Sequence, residues 1–319
     1  MSPQFGVAFW FKALITGAVL TLVWMRVDFS TAVTMLSQVK LQWFLAALGI
    51  ALPLGFTGVQ RWRTVAATFG ESLPLSKAFM YAWIGQFINL GLPSILGLDS
   101  VRAWKLHKHG LPIGLATRVV VVDRLCSLST LIIILAIGMP RLSLLHGSEI
   151  FKHSAVLAFL MGSSGLAVVS ATQLGTHLIP TTSTARHLHQ LSRDFNHALF
   201  GNLASTTKIF FWSTCNHLCR IVTVLCLSLG LGISISPLDA FVLVPAALLI
   251  AMVPISIAGW GVREVVFIQA FSLAGIAPSQ ALALSLLYGC VGLATSLLGG
   301  AVWFAERKMQ RLSSSPRHA

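Results

Sequence analysis

The sequence predicts an all-α integral membrane protein with about six full transmembrane helices and two re-entrant helical hairpins that enter from opposite faces. Three observations predict it: an apolar composition, the length of the apolar segments, and a Gly/Pro-rich break that occurs twice. Of the 319 residues, 55% are hydrophobic and only 10% are charged, and the mean hydropathy is +0.82. Soluble domains carry about 25% charged residues. Most of this surface therefore faces lipid, in a single transmembrane domain covering residues 1–319.

The apolar segments give the number of spans, because a bilayer core about 30 Å thick requires about 20 apolar residues per helix. The first segment continues as RVDFS rather than as a small-residue cleavage site, so we expect it to be retained as a span. Two further apolar stretches, about 76–91 and 238–256, end in Gly/Pro-rich breaks. The segments that are long enough to span are roughly 7–26, 42–60, 113–139, 153–174, 208–231 and 279–304.

The two breaks resemble each other. The first reads PSILGLDSVR and ends at Arg102, and the second reads PISIAGWGVR and ends at Arg263. Pro93 and Pro254 are 161 positions apart, as are the two arginines. Two similar hairpins entering from opposite faces are typical of an inverted-topology repeat. Chance similarity between Gly/Pro-rich loops is the alternative.

The positive charges predict the topology, because short cytoplasmic loops are rich in Lys and Arg. The loop charges counted for this purpose include Arg61 and the group Arg102, Lys105 and Lys108. If the segment 76–91 enters partway and returns, every basic group lies on one side of the membrane. This interpretation gives a first re-entrant hairpin at about 76–110, a second at about 238–276, and a basic cytoplasmic tail at 305–319. Both termini are then cytoplasmic, and we expect the cell membrane, in bacteria the inner membrane, as the location.

The net charge of +13 is explained by the same loops and by contact with anionic lipid headgroups. It comes without a nucleic-acid recognition motif, so we expect no nucleic-acid partner. The expected partners are membrane lipids with anionic headgroups. An enzyme of lipid or glycan synthesis and a second copy of the chain are possible additional partners.

Four motifs carry a resemblance to a known family: RW at Arg61–Trp62, NLGLPSILGLDSVRAWKLHKHG at 89–110, VVVVDRL at 119–125, and PISIAGWGVREVVFIQAFSLAG at 254–275. In this order they resemble the lysylphosphatidylglycerol synthase transmembrane family, also called flippase-like membrane proteins. The first break has Ser94 to Gly97 where the family commonly has a Gly-Gly-x-Gly-Asp-like form.

The resemblance implies a flippase-like role in lipid handling. Its lysyl-transferring relatives carry a soluble aminoacyl-transfer domain after the membrane region. This chain ends about 15 residues after its last predicted span, so we do not expect a synthase.

The breaks also predict the binding site, because broken helices at membrane depth must line a wet cavity or be buried in protein. The expected hinge residues are Pro93, Gly97, Pro254, Gly259 and Gly261. A helix that starts after such a break presents free N–H groups suited to a phosphate, and arginine binds phosphate through a bidentate fork. We therefore predict a headgroup site formed by Arg102, Arg263, Asp99, Asn89 and Glu264. Glu264 is expected to orient Arg263, and the role of a proton-coupled carboxylate is the alternative. Local pairing of Asp99 with Arg102 at i, i+3 is the alternative.

Four further ionisable residues lie in the apolar helices, namely Arg118, Asp123, Arg124 and Arg220. Such groups are costly in a membrane and mark functional candidates. Asp123 and Arg124 point about 100° apart on one helix, so we expect Asp123 to pair with Arg220 across helices. Structural pairing and a role in the lipid path both remain open for this predicted charge network.

The function predicted is transport: a lipid flippase for a modified phospholipid or a polyprenyl-phosphate-linked lipid, not an enzyme. The sequence has no G-x-x-x-x-G-K-[ST] loop. The cysteines and histidine of CNHLC, at 215–219, lack the spacing of a zinc site. We expect no cofactor and no metal. The alternatives are an integral membrane enzyme that modifies a lipid headgroup and a non-transporting partner of such an enzyme.

Overall fold

The computed structural model describes residues 3–91, 96–172, 183–252 and 260–314, and within these ranges the chain forms helices and no strand. The all-α prediction is therefore confirmed. The helices are α1 Pro3–Arg26, α2 Phe29–Ser37, α3 Leu41–Thr68, α4 Leu75–Gly91, α5 Leu96–Lys108, α6 Ile113–Leu144, α7 Glu149–Ala171, α8 Ser183–Phe200, α9 Leu203–Gly230, α10 Pro237–Ala251, α11 Val262–Ser272 and α12 Pro278–Ser314.

Five of these helices, α3, α6, α7, α9 and α12, are long and apolar enough to cross a membrane. The pair α1 and α2, bent by 89° at its break, makes a sixth if it is one span. The prediction of about six spans is thus confirmed. Helix α3 is longer than expected: it continues past residue 60 to Thr68, which places Arg61 and Trp62 inside a helix rather than in a loop.

The shorter helices form two pairs. Helices α4 and α5 pack against each other, and so do α10 and α11. In the first pair, a Cβ atom on Gly85 would lie 2.7 Å from Leu98 Cδ1, so the glycine permits this close packing. Entry from opposite faces of the membrane stays a prediction.

The predicted hinge residues divide between described and undescribed segments. Pro93, Pro254 and Gly259 lie outside the described residues. Gly97 lies in the first turn of α5, and Gly261 directly precedes α11. Gly261 has a φ of +86°, a conformation that glycine adopts without a steric penalty.

The contact of α4 with α12 positions the first helix pair. A Cβ atom on Gly299 would collide with the carbonyl oxygen of Trp83, and one on Gly300 would lie 2.8 Å from the ring of Phe87. Small residues let membrane helices approach this closely. This contact fixes the segment of α4 around Trp83 against the last span.

Candidate functional site

A cavity of about 270 Å³ is lined by residues of the first helix pair, of α11 and of the spanning helices α3, α6, α9 and α12. Five arginines line it, each from a different helix, and no described lining residue is acidic. The five are Arg61 on α3, Arg102 on α5, Arg124 on α6, Arg220 on α9 and Arg263 on α11. The predicted headgroup-binding arginines, Arg102 and Arg263, therefore line the same cavity.

Glycines along the cavity wall leave space because they have no side chain. Gly55, Gly58 and Gly292 are among its lining residues. A Cβ atom on Gly292 would meet nothing within 4 Å, whereas one on Gly55 would lie 3.4 Å from Trp83 Nε1. The remaining lining is largely apolar, so the guanidinium groups dominate its electrostatics.

Asp123 lies behind the cavity wall and holds two of the arginines. It is fully buried and accepts hydrogen bonds from Arg61 Nε at 2.8 Å and Arg61 Nη2 at 3.2 Å. Arg102 Nη1 donates to the same carboxylate at 3.1 Å. The predicted pairing of Asp123 with Arg220 is wrong, because Arg61 and Arg102 occupy the carboxylate instead.

Asp99 holds Arg124 in a bidentate pair, with Nε and Nη2 donating at 2.8 Å and 2.9 Å. The local pair with Arg102 also exists, at a longer 3.6 Å. Asp123 and Arg124 thus point to different partners, as their spacing predicts. We call Arg61, Asp123, Arg102, Asp99 and Arg124 the aspartate-bridged cluster.

Arg102 has an unused donor in this cluster. Its guanidinium lies 4.1 Å from the ring centroid of Trp62, a cation–π contact. The residue is only 5% exposed, yet its Nε has no hydrogen-bond partner among the described residues. The indole Nε1 of Trp83, another lining residue, is also buried and unpartnered. Buried donors are nearly always satisfied, so these two indicate where a ligand oxygen would bind.

Arg263 is held mainly by its own helix. Its Nη2 donates to Glu264 Oε1 at 2.6 Å and its Nε donates to Ser285 Oγ at 3.2 Å. Glu264 also accepts from the backbone N–H of Gly261 at 2.6 Å, which caps the start of α11. These contacts place Glu264 against the Arg263 guanidinium, which is the arrangement that the predicted orienting role requires. A Cβ atom on Gly289 would lie 2.6 Å from Arg263 Nη2, so the guanidinium packs directly on the backbone of α12.

Arg220 is the least compensated of the five arginines. It donates to Asn216 Oδ1 at 3.4 Å and to the Tyr288 hydroxyl at 3.3 Å, both long contacts to neutral groups. Among the described ion pairs none includes Arg220. Its positive charge is therefore left for a ligand or for water.

The charges do not balance at this site. Five guanidinium groups line the cavity, and three carboxylates, those of Asp99, Asp123 and Glu264, contact them. Two positive charges are in excess. Because uncompensated charge is costly away from water, the cavity is suited to an anion.

The other predicted residues lie elsewhere. Arg118 joins α6 to α8, donating to Asp194 Oδ2 at 2.7 Å and to Gln190 Oε1 at 3.1 Å, and it is not a lining residue. Asn89 is near the end of α4, and its Oδ1 has no hydrogen-bond partner among the described residues.

The sequence prediction did not include Arg61 in the site, because it counted Arg61 as a loop charge. The available signal was the apolar pattern continuing through Val65 and Ala66, both buried.

Comparison with known proteins agrees with this architecture. The model of the family described as lysylphosphatidylglycerol synthase TM region matches residues 9–300. A UPF0104 membrane protein of the archaeon Methanocaldococcus jannaschii is 27% identical over 246 residues, which cover 71% of this chain and 73% of that protein.

Proposed function

Since the chain belongs to the lysylphosphatidylglycerol synthase transmembrane family, a family of multi-pass membrane proteins, we propose that it is a lipid flippase. In this proposal it moves a phosphate-bearing lipid between leaflets of the cell membrane, in bacteria the inner membrane, with both termini cytoplasmic. The headgroup passes through the arginine-lined cavity while the acyl chains stay in the bilayer. The proposal gives the chain no catalytic role.

The observation that carries the proposal is the convergence of five arginines from five helices on one cavity with an excess of positive charge. Arginine suits phosphate because its fork binds two oxygens and stays charged. The cavity of about 270 Å³ falls just under the range of roughly 300–1,000 Å³ that holds a whole drug-sized ligand. It fits a headgroup better than an entire lipid.

The lengths of the short helices support a site at membrane depth. Helix α11 has 11 residues and is about 16 Å long at 1.5 Å per residue. The hydrocarbon core is about 30 Å thick, so α11 does not cross it alone. A pair of such helices that enters and returns would carry Arg263 into the membrane.

Lipid movement in liposomes tests the proposal. The full-length protein is reconstituted with fluorescent phospholipids, and a membrane-impermeant quencher reports the fraction that changes leaflet. We expect transport by the wild type and loss of most of it, roughly tenfold or more, in Arg102→Ala and Arg263→Ala. Arg186→Ala, which removes an exposed charge on α8, is the matched control and is expected to transport normally.

The same liposomes separate the alternatives. Unchanged transport by both variants, at normal expression, would contradict the role of the cavity. Chemical conversion of the headgroup would identify a membrane enzyme instead. No movement and no conversion, together with a copurifying synthesis enzyme, would identify a non-transporting partner.

A further inference from the structure

We infer that the cavity selects lipids whose headgroup carries a dianionic phosphate, meaning a phosphomonoester or a diphosphate. Lipids with a single phosphodiester would bind more weakly, and lipids with added ammonium groups most weakly. This inference rests on the proposed function, because it names the substrate class of the same site.

The charge balance of the cavity is the first argument. Its arginines exceed the carboxylates that contact them by two charges. A phosphodiester supplies one negative charge, whereas a phosphomonoester carries about −1.5 to −2 at pH 7. Only the second kind of headgroup neutralises the excess. Arg220, whose described partners are neutral, is the group that the additional charge would compensate.

The unused donors are the second, independent argument. Arg102 Nε and Trp83 Nε1 are buried, belong to lining residues and have no hydrogen-bond partner in the part of the chain that the structure describes. A terminal phosphate offers three unesterified oxygens as strong acceptors, one more than a phosphodiester. Together with Arg220, these two groups give the cavity three donors, as many as a terminal phosphate has unesterified oxygens.

The position of the carboxylates argues against cationic headgroups. The charge of an ammonium group is best compensated by an accessible acid, but no described lining residue is acidic. The side chains of Asp123 and Glu264 are 0% and 1% exposed, and Asp99, at 14%, is engaged by Arg124. A headgroup such as lysylphosphatidylglycerol, whose lysyl group adds ammonium groups to one phosphodiester, would therefore meet only like charges.

Equilibrium binding to the purified full-length protein tests the order of affinities. The probes are short-chain phosphatidic acid, phosphatidylglycerol and lysylphosphatidylglycerol, titrated calorimetrically into the detergent-solubilised protein, with inorganic phosphate as a fourth. We expect phosphatidic acid to bind roughly tenfold or more tightly than phosphatidylglycerol, a factor corresponding to 1.4 kcal/mol, and lysylphosphatidylglycerol to bind most weakly. Inorganic phosphate should bind more weakly than phosphatidic acid. Equal affinity for the two would assign the site to free phosphate and overturn the inference.

An arginine variant sharpens the test. Arg220→Gln should lower the affinity for phosphatidic acid more than that for phosphatidylglycerol, so that the two affinities approach each other. Removing Arg220 frees no carboxylate, since none of its described partners is acidic, so the fold should tolerate it. The control Arg186→Gln removes the same charge from the exposed face of α8 and should preserve the difference between the two lipids.

The outcomes separate the inference from the proposed function. Equal affinities for phosphatidic acid and phosphatidylglycerol, with both lipids moved in liposomes, would overturn the selectivity and leave the flippase standing. The predicted order of affinities without any movement would overturn the flippase and leave the selectivity standing.

Discussion

Arg102 and Arg263 occupy corresponding positions of the predicted repeat and line one cavity, but they are held in different ways. Arg102 depends on distant elements: its carboxylate partner Asp123 is on α6 and is shared with Arg61 on α3. Arg263 depends on its own helix, through Glu264, the next residue in the chain.

This difference separates two kinds of support. The position of Arg102 is tied to the packing of α3, α5 and α6, so its cluster contributes to stability as well as to binding. The position of Arg263 is set within α11 and against α12, so its ion pair joins no third helix. The following predictions test this contrast in order of expected effect.

Asp123→Ala should have the largest effect, because it leaves two buried arginines without their shared carboxylate. Removing one partner of a buried ion pair costs about 3–5 kcal/mol, and Asp123 is fully buried. We expect little folded protein, measured as the monodisperse fraction after heating in detergent. The matched control is Asp239→Ala, which breaks a pair with Arg141, whose side chain is 37% exposed, and should cost much less. Equal losses in the two variants would remove the contrast between buried cluster and peripheral pair.

Lys105→Ala should have the next largest effect, because it breaks a second buried ion pair between the first helix pair and a distant helix. This pair joins α5 to α12. Lys105 Nζ contacts both carboxylate oxygens of Glu306 on α12, at 2.6 Å and 2.7 Å, and each side chain is 11% exposed. The single variant leaves Glu306 buried and unpaired, at a cost of roughly 3 kcal/mol. The double variant Lys105→Met with Glu306→Leu should recover most of the thermal stability, since an apolar pair can replace a buried ion pair. A double variant as unstable as the single one would contradict this explanation.

The sequence predicted the helical class, the number of spans and the two arginines of the repeat, because these depend on local patterns. Apolar segment length determines the spans, and the spacing of Glu264 from Arg263 and Gly261 brings their groups together within one helical turn. The partners of Asp123 depend instead on which helices pack together, which periodicity does not encode.

Burial of individual basic residues was the other quantity that the sequence did not reveal. The prediction of topology counted Arg61, Arg102 and Lys105 as charges of cytoplasmic loops. All three are buried and paired, with at most 9% of each residue exposed. These residues therefore carry no information on orientation, and the argument from loop charges rests on the remaining basic groups.

Gly289→Ala should have the smallest effect on stability and a selective effect on function. Its Cβ atom would lie 2.6 Å from Arg263 Nη2, so the flexible end of the arginine must move while the backbone of α12 stays in place. We expect a change in thermal stability below about 1 kcal/mol, because helical Gly→Ala is itself favourable by about that amount. Lipid movement in liposomes should fall several-fold. Gly165→Ala, on α7 and outside the cavity lining, adds the same methyl group where no described atom lies within 4 Å and should retain more transport. If both variants transport equally, the position of the Arg263 guanidinium does not limit movement, and the self-contained support of Arg263 is structural rather than functional.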